Sequence, residues 1–266
     1  MKSAFILSVL FLAIMFAACS FQTVESQKME EKQTPKSDNQ IKKSPVLVEL
    51  YTSEGCSSCP PADNALAFLE KEQPFMQAEI ITLSLHVDYW NYLGWKDEFS
   101  SPLYSQRQNV YAEKLRLDST YTPQMIVDGQ IQFVGSDAGK ASKAILEAAK
   151  SPKANIETVV RGDTLKIKIS DVPKHEDASI FLAIAENNLA SSVKRGENSG
   201  KNLAHTSVVR DLRPIGRLEA KSGSFEQQTT VERNPQWNTD NLSYVVFVQE
   251  NESRKIIGTA KVSAAK

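Results

Sequence analysis

The stretch Val46-Leu47-Val48-Glu49-Leu50-Tyr51, followed after four residues by Cys56-Ser57-Ser58-Cys59, decides how this sequence is interpreted. The first six residues are apolar or aromatic except for one glutamate, which is typical of a buried strand. Pro60-Pro61-Ala62-Asp63 then opens a helical pattern that extends to about Gln73. Two prolines suit a helix start because the first-turn N–H groups have no helical partner. The two cysteines are therefore predicted at a strand-to-helix junction.

Two thiols one helical turn apart at such a junction indicate redox chemistry. A helix start offers free backbone N–H groups and the positive end of a dipole, which both favour a thiolate. The thiolate is the form that attacks disulfides. We predict Cys56 as the exposed nucleophile and Cys59 as the more shielded resolving thiol. The hydroxyls of Ser57 and Ser58 are candidate donors to the thiolate, or they cap the helix.

Residues 1–18 have the pattern of a secretory signal. The apolar run over residues 5–18 is shorter than the about 20 apolar residues that a membrane span needs. It ends in Phe16-Ala17-Ala18-Cys19-Ser20, which resembles the lipobox of bacterial lipoproteins with Phe16 where Leu is usual. The resemblance implies cleavage before Cys19, lipidation of its thiol and anchoring to a membrane, in the periplasm or at the cell envelope. The alternatives are an ordinary secretory signal and a retained membrane helix.

The number of cysteines limits which disulfides the chain can form. The chain has three cysteines, so if Cys19 carries lipid, Cys56 and Cys59 pair with each other or with a substrate. Export places them in an oxidising compartment, where a stable thiol pair is normally a disulfide or a working redox couple. A disulfide across so short a loop constrains the unfolded chain little. A structural staple is therefore a poor explanation for the pair.

After the signal, the sequence predicts a tether and two folded domains. Residues 19–44 are polar, mixed in charge and without apolar periodicity, as in a flexible tether. Residues 45–150 alternate strand and helix patterns, which predicts an α/β domain. Residues 151–266 contain alternating strands such as Leu165–Ile169, and two apolar runs around Asn251-Glu252-Ser253 indicate a hairpin. This second part is predicted to be a small all-β, sandwich-like domain.

Further elements of the α/β domain complete a recognisable order. They are a strand over Glu79–Leu85, a helix from Pro102 to about Leu117, a hairpin over Thr122–Gly135 and a closing helix over Ala138–Lys150. The order of elements resembles the thioredoxin layout: strand, CxxC, helix, strand, insertion, Thr-Pro, hairpin and helix. In thioredoxins the proline is cis and faces the cysteines. The resemblance therefore implies a cis peptide at Thr122-Pro123, opposite Cys56 and Cys59.

A narrower resemblance covers nearly all of the mature chain. It is to a bacterial secreted, thioredoxin-like family of unknown function, and it rests on the segments 49–63, 86–90, 121–125, 195–198 and 209–216. The CxxC departs from ordinary thioredoxin, with Gly55 where Trp is common and Ser57-Ser58 in place of Gly-Pro. Because the central dipeptide tunes the redox potential, the sequence leaves oxidant, reductant and isomerase open.

Polar residues after the second predicted strand are candidates to support the cysteines. His86 and Asp88 lie at its carboxyl end, where open α/β sheets gather catalytic groups. His86 would relay a proton or hold a thiolate charge, with Asp88 orienting it. Alternatively, His86 caps the strand and Asp88 the next helix. His175 and His205 are expected at the surface, and the loop over residues 193–209 is expected to approach the CxxC.

Together these patterns predict an exported, lipid-anchored thiol-disulfide oxidoreductase that acts on protein thiols and is recycled by a redox partner. Cys56 would attack, Cys59 would resolve, and Pro123 would present backbone groups to a bound peptide. A formal net charge of -1 and a pI near 6.4 give no reason to expect nucleic acid. No cofactor or resident metal is expected. The alternatives are a copper(I)-binding protein that uses both sulfurs and His86, because soft thiolates suit that ion, and a non-enzymatic binding module.

Overall fold

The computed structural model describes residues 43–231 and 234–264. The predicted signal over residues 1–18, the lipidation site at Cys19 and the predicted tether up to residue 42 lie outside these residues. No helix in the described part of the chain is long and apolar enough to cross a membrane. The described residues belong to one compact unit.

Strands dominate the described part of the chain, and helices are few. The strands are β1 (Ser44–Thr52), β2 (Ala78–His86), β3 (Gln124–Val127), β4 (Ile131–Val134), β5 (Asn155–Arg161), β6 (Thr164–Ser170), β7 (Ala178–Glu186), β8 (Leu189–Ser192), β9 (Asn202–His205), β10 (Val208–Leu218), β11 (Phe225–Thr230), β12 (Leu242–Glu250) and β13 (Ile256–Ser263). The α-helices are α1 (Pro60–Glu72), α2 (Pro102–Lys114) and α3 (Ala138–Ala148), and short 3-10 helices span Asn91–Leu93 and Thr239–Asn241.

Eight strands form one mixed sheet in the order β13-β12-β7-β10-β2-β1-β3-β4. β1 and β2 are parallel, β3 runs antiparallel to β1, and β3 and β4 form the predicted hairpin. β10 joins β2 through the pairing of Val208 with Ser84. Strands from both sides of residue 150 therefore share this sheet. The predicted α/β class is confirmed at this level, as a mixed α/β fold with one large mixed sheet.

Three apolar cores hold these layers together. One lies between the sheet and helices α1 and α3, and includes Val48, Leu66 and Ile145. A second covers the opposite face, where α2 packs on strands from both halves of the chain. The third lies between β7, β12 and a separate three-stranded sheet of order β11-β6-β5. The first two cores fix the carboxyl end of β1, where the cysteines follow.

Helix boundaries follow local chemistry. Pro60 and Pro61 open α1, and the left-handed residue Gln73 ends it. Ser101 caps α2 by accepting a hydrogen bond from the N–H of Leu103, directly before a proline. A side-chain oxygen at this position satisfies one of the N–H groups that the first turn leaves free. The sequence predicted all three helices, with ends that differ by one to three residues.

Candidate redox site

The CxxC forms a disulfide at the junction of β1 and α1. Cys56 and Cys59 are bonded to each other, with their Cα atoms 5.4 Å apart. The N–H of Cys59 donates to the carbonyl of Cys56 at 3.2 Å, and the N–H of Cys56 donates to the carbonyl of Ser53 at 3.1 Å. α1 begins at Pro60, with Cys59 as its N-cap residue. The predicted strand-to-helix placement is confirmed, although the pair lies in a turn just before the helix.

Neither cysteine is exposed, so the predicted exposure of Cys56 is wrong. Both residues have 0% relative exposure. A segment from the second half of the chain, Gly196–Lys201, which we call the cap, lies against this turn. Its Asn198 is itself 0% exposed. The Asn198 side-chain amide donates to the carbonyl oxygens of Glu54 and Cys56, each at 2.9 Å.

A carboxylate makes a further bond between the cap and the CxxC. Oε2 of Glu197 accepts a hydrogen bond from the backbone N–H of Ser57 at 2.9 Å. Hydrogen bonding with Ser57 lowers the pKa of the Glu197 carboxyl below its ordinary value. Lys201 Nζ donates to Asn198 Oδ1 at 2.9 Å and fixes the orientation of that amide. The cap is therefore held by hydrogen bonds to backbone groups of the CxxC turn.

The cap is the tip of a two-stranded hairpin made by β8 and β9. The N–H of Gly200 donates to the carbonyl of Val193 at 2.8 Å, and the N–H of Val193 donates to the carbonyl of Lys201 at 3.0 Å. Gly196 and Gly200 have positive φ angles of 77° and 81°, a conformation that glycine adopts readily. The prediction that residues 193–209 approach the CxxC is confirmed.

Two buried histidine–carboxylate pairs lie beside the disulfide. His86 Nδ1 is 2.7 Å from Asp97 Oδ2, and His205 Nε2 is 3.0 Å from Glu54 Oε1. The two imidazole rings are in edge contact, with centroids 4.9 Å apart. Asp97 Oδ2 also accepts the N–H of Glu54 at 2.9 Å. The two pairs therefore form one network, and Glu54 links it to the cap through its backbone carbonyl.

Burial and neighbouring charges have opposite effects on the pKa values of this network. Burial acts to lower the pKa of His86, but the charge and hydrogen bond of Asp97 raise it above its ordinary value. Burial acts to raise the pKa of Asp97, but the charge of His86 lowers it. The pKa of Glu54 is likewise lowered against the effect of burial, with the hydrogen bond from His205 as the largest favourable cause. Burial raises the pKa of the Asp63 carboxyl.

Two histidine atoms here are buried without a hydrogen-bond partner, His86 Nε2 and His205 Nδ1. The side chains of Asp63 and Thr52 interact with each other in the same region. Asp63 follows Cys59 by four residues, so the two lie on the same face of the first helical turn. The network thus offers proton donors and acceptors close to Cys59.

Two assignments from the sequence need correction. Asp88 does not orient His86, because its Oδ1 accepts from the hydroxyl of Ser105 at 2.5 Å. Asp97 takes the orienting position instead. His205 was expected at the surface and is 4% exposed. Its partner is Glu54, which no sequence motif singles out. The sequence feature that could have identified Glu54 as a site residue is its position two residues before Cys56.

Thr122 and Pro123 lie at the same end of the sheet as the cysteines. Their peptide bond is cis, as predicted. Gln124 pairs with Tyr51, which places Pro123 beside the carboxyl end of β1. Trp90 Nε1 donates to Thr122 Oγ1 at 2.8 Å. The fold therefore brings this dipeptide, His86 and the cysteines to the same end of the large sheet.

The serines of the CxxC point outward and differ in their contacts. Both Ser57 and Ser58 are exposed. Ser58 Oγ lies 3.3 Å from Cys56 Sγ, within hydrogen-bond distance for a sulfur. Ser57 contributes its backbone N–H to Glu197. Ser58 is therefore the serine whose hydroxyl is placed to contact Cys56 Sγ.

The described residues contain no group of three His, Cys, Asp or Glu side chains arranged to hold a metal ion. His86 directs Nδ1 at Asp97, and its Nε2 is buried. No described contact joins His86 to both sulfurs. The copper(I) hypothesis therefore gains no specific support from the geometry.

Fold and site define a mixed α/β protein with a CxxC disulfide that is covered by a hairpin. The chain belongs to the family described as "Protein of unknown function (DUF1223)", which matches residues 47–249. The comparison with curated proteins found no match.

The solved structures that are similar to the chain include the following two. A crystal structure of a protein from Agrobacterium tumefaciens is 26% identical, covers 83% of this chain and 95% of its own, and has a TM-score of 0.68. HBP35 of Porphyromonas gingivalis is 14% identical, covers 83% of this chain and 75% of its own, and has a TM-score of 0.60. The second likeness concerns the fold alone.

Proposed function

We propose that this protein is a thiol-disulfide oxidoreductase that acts on protein thiols. The observation that carries the proposal is the Cys56–Cys59 disulfide in the turn between β1 and α1. The thioredoxin-like part of the proposal rests on the strand order β2-β1-β3-β4, with a helix after β1 and another after β4. Pro123 at the start of β3 completes this arrangement.

The exchange reaction needs only the two sulfurs and a substrate dithiol. A substrate thiolate attacks Cys56 Sγ, the Cys56–Cys59 bond breaks, and Cys59 leaves with the electron pair and takes up a proton. The second substrate thiolate then attacks the substrate sulfur bound to Cys56 and releases Cys56. The substrate dithiol is oxidised to a disulfide, and the enzyme pair is reduced by two electrons. The reverse sequence reduces a substrate disulfide.

The buried network supplies groups that can hold the proton of Cys59. The raised pKa of Asp63 favours its protonated carboxyl, which lies one helical turn from Cys59. His86 is the neighbouring basic group, held by Asp97. In this proposal His86 and Asp97 are positioning residues, since the charge of His86 acts on the Asp63 carboxyl rather than on a sulfur.

The proposal places the reaction outside the cytoplasm. Its support is the sequence pattern of residues 1–18 and the lipobox-like segment that ends at Cys19. Lipid on Cys19 would anchor the protein at a membrane, and the tether would extend the folded part from it. Substrates would be protein thiols or disulfides, and a separate redox partner would recycle Cys56 and Cys59.

Trapping of a mixed disulfide tests the proposal. The Cys59→Ser variant lacks the resolving thiol, so Cys56 is expected to remain bonded to an oxidised unfolded polypeptide. The matched Cys56→Ser variant retains only Cys59, the leaving sulfur of the proposed reaction, and is expected to trap much less. Mass analysis of the conjugates identifies the bonded cysteine. Absence of a Cys56 conjugate, with the fold of the variant intact, would refute the proposed function.

A further inference from the structure

We infer that the cap, Gly196–Lys201, occupies the position of a bound polypeptide and makes the cysteine pair selective for polypeptides over small thiols. The inference deepens the proposed function and rests on it. Its starting point is that Cys56, the sulfur that a substrate thiolate attacks in the proposed reaction, is 0% exposed while the cap is in place. A substrate must therefore displace the cap or pass beneath it.

The groups that the cap covers are backbone groups. The cap bonds to the N–H of Ser57 through Glu197, and to the carbonyls of Glu54 and Cys56 through Asn198. Departure of the cap frees one donor and two acceptors. Backbone groups that lose their partners away from water are costly to leave unpaired.

A polypeptide is the class of substrate that can replace these bonds. An extended chain offers carbonyl oxygens to the N–H of Ser57 and N–H groups to the two carbonyls, as in peptide recognition by main-chain pairing. A small thiol has too few such groups. When it reaches Cys56, it cannot replace the hydrogen bonds that the cap made to these backbone groups. Glu197 and Asn198 are thus specificity-determining residues that mimic a peptide with their carboxylate and amide.

The hairpin that carries the cap lies outside the eight-stranded sheet. β8 and β9 pair only with each other in the described sheets, and neither belongs to the eight-stranded sheet. Within the cap, Glu197 and Ser199 are exposed, and Asn198 is the buried contact. Glycines at positions 196 and 200 flank it with positive φ angles. His205 remains bonded to Glu54 at the base of β9, so the hairpin can pivot without leaving the molecule.

Reduction kinetics test this inference on the oxidised, full-length mature protein. The probes are a small phosphine, reduced glutathione and a reduced unfolded polypeptide. Asn198→Ala removes both amide bonds, so reduction by the phosphine and by glutathione is expected to accelerate about tenfold, because two lost hydrogen bonds favour opening by that factor. Glu197→Gln, at an exposed position, is expected to accelerate both by about threefold. Reduction by the polypeptide is expected to change by less than either factor.

Ser199→Ala is the matched control, because its hydroxyl contacts the carbonyl of Lys194 and not the CxxC. It is expected to react at the wild-type rate with every probe. Equal phosphine rates for wild type, Asn198→Ala and Glu197→Gln would overturn the inference. Equal acceleration with small thiol and polypeptide would overturn its selectivity. If the phosphine rates rise as expected but no variant accepts electrons from the polypeptide, the proposed function fails instead.

Discussion

His86 shows how pairing outweighs burial at a single residue. An isolated buried histidine would lose its proton, yet the Asp97 carboxylate raises the pKa of His86 above its ordinary value. Both side chains are 0% exposed and lie 2.7 Å apart. Removing the charge of either His86 or Asp97 therefore leaves the charge of the other buried without a partner.

Asp97→Asn is expected to reduce the free energy of unfolding by about 3–5 kcal/mol, the typical loss when a buried pair loses one partner. Asp88→Asn is the control, because an asparagine can still accept the hydrogen bond from Ser105 at that position. Its expected loss is about 1 kcal/mol or less. Urea unfolding of both variants measures the difference. Equal losses would contradict the assignment of Asp97 as the partner of His86.

The same pair sets a pH dependence of stability. The lowered pKa of Asp97 contributes stability above its ordinary value of 3.8, and this contribution is lost as the pH falls through the folded value. The raised pKa of His86 contributes stability below its ordinary value of 6.5, and this is lost as the pH rises through the folded value. Glu54, Asp63 and His205 also face His86 in the same network.

We therefore expect the stability contribution of the pair to be complete between pH 3.8 and 6.5 and to decline on both sides. Urea unfolding at a series of pH values measures the profile. In Asp97→Asn both slopes are expected to flatten relative to the wild type. If the free energy of unfolding of the variant declines above pH 6.5 as steeply as that of the wild type, His86 is not the cause of that decline.

The sequence predicted the residues of this site where the signal was local. The CxxC, its helix and the cis Thr122-Pro123 all follow from short motifs and a family layout. Asp97 and Glu54 were not predicted, because their roles depend on which side chains meet in space. Asp97 lies 11 positions from His86, and Glu54 lies 151 positions from His205. Sequence spacing gives no information about contacts of this kind.

At the scale of elements, the hairpin β3–β4 and helix α1 pack closely enough to leave no room for one methyl group. A Cβ on Gly135 would lie 2.7 Å from Leu50 Cδ1 and 3.0 Å from Ala62 Cβ. The N–H of Gly135 also donates to the carbonyl of Pro123 at 3.0 Å. This glycine therefore sets the spacing between Pro123 and the first turn of the helix that follows the cysteines.

Gly135→Ala is expected to reduce the free energy of unfolding by about 1–3 kcal/mol, the usual range for overpacking. Gly139→Ala in α3 is the control, since its nearest neighbour would be the Asp137 carboxylate at 3.4 Å. That change is expected to be neutral or stabilising by up to about 1 kcal/mol. Thermal unfolding compares the two proteins. A neutral Gly135→Ala would show that the hairpin and helix can separate freely.

Helices and hairpins were predictable because each is specified by its own residues. Proline pairs, a serine cap and apolar periodicity mark α1, α2 and α3. The pairing of β10 with β2 was not predictable, because it joins strands more than 100 residues apart through Val208 and Ser84. The approach of residues 193–209 to the CxxC was predicted, but the hydrogen bonds from Asn198 to the carbonyls of Glu54 and Cys56 were not, because they join residues more than 100 positions apart.

On the scale of the whole molecule, Arg107 joins parts of the chain that the sequence assigned to two domains. Its guanidinium binds both carboxylate oxygens of Glu49, at 2.7 and 3.2 Å, and also Gln249 Oε1 at 3.0 Å. It also lies over the rings of Phe181 and Phe247. The apolar core around it combines residues from β1 and β2 with residues from β7, β10 and β12.

A fragment of residues 43–150 is therefore expected not to fold stably. It would expose the face of β1 and β2 that β7, β10 and β12 cover, and it would leave the Arg107–Glu49 pair open to solvent. Near-UV circular dichroism and proteolysis of the fragment measure this, with residues 43–266 as the control. A cooperative unfolding transition in the fragment would instead support the predicted independent domain over residues 45–150.

The redox behaviour of Cys56 and Cys59 is the most direct test of the account. The protein is brought to equilibrium in glutathione buffers from oxidising to strongly reducing, and free thiols are trapped and counted by mass. We predict a reversible transition between disulfide and dithiol within this range, with the fold intact on both sides. A disulfide that persists through every buffer and opens only when the protein unfolds would contradict it.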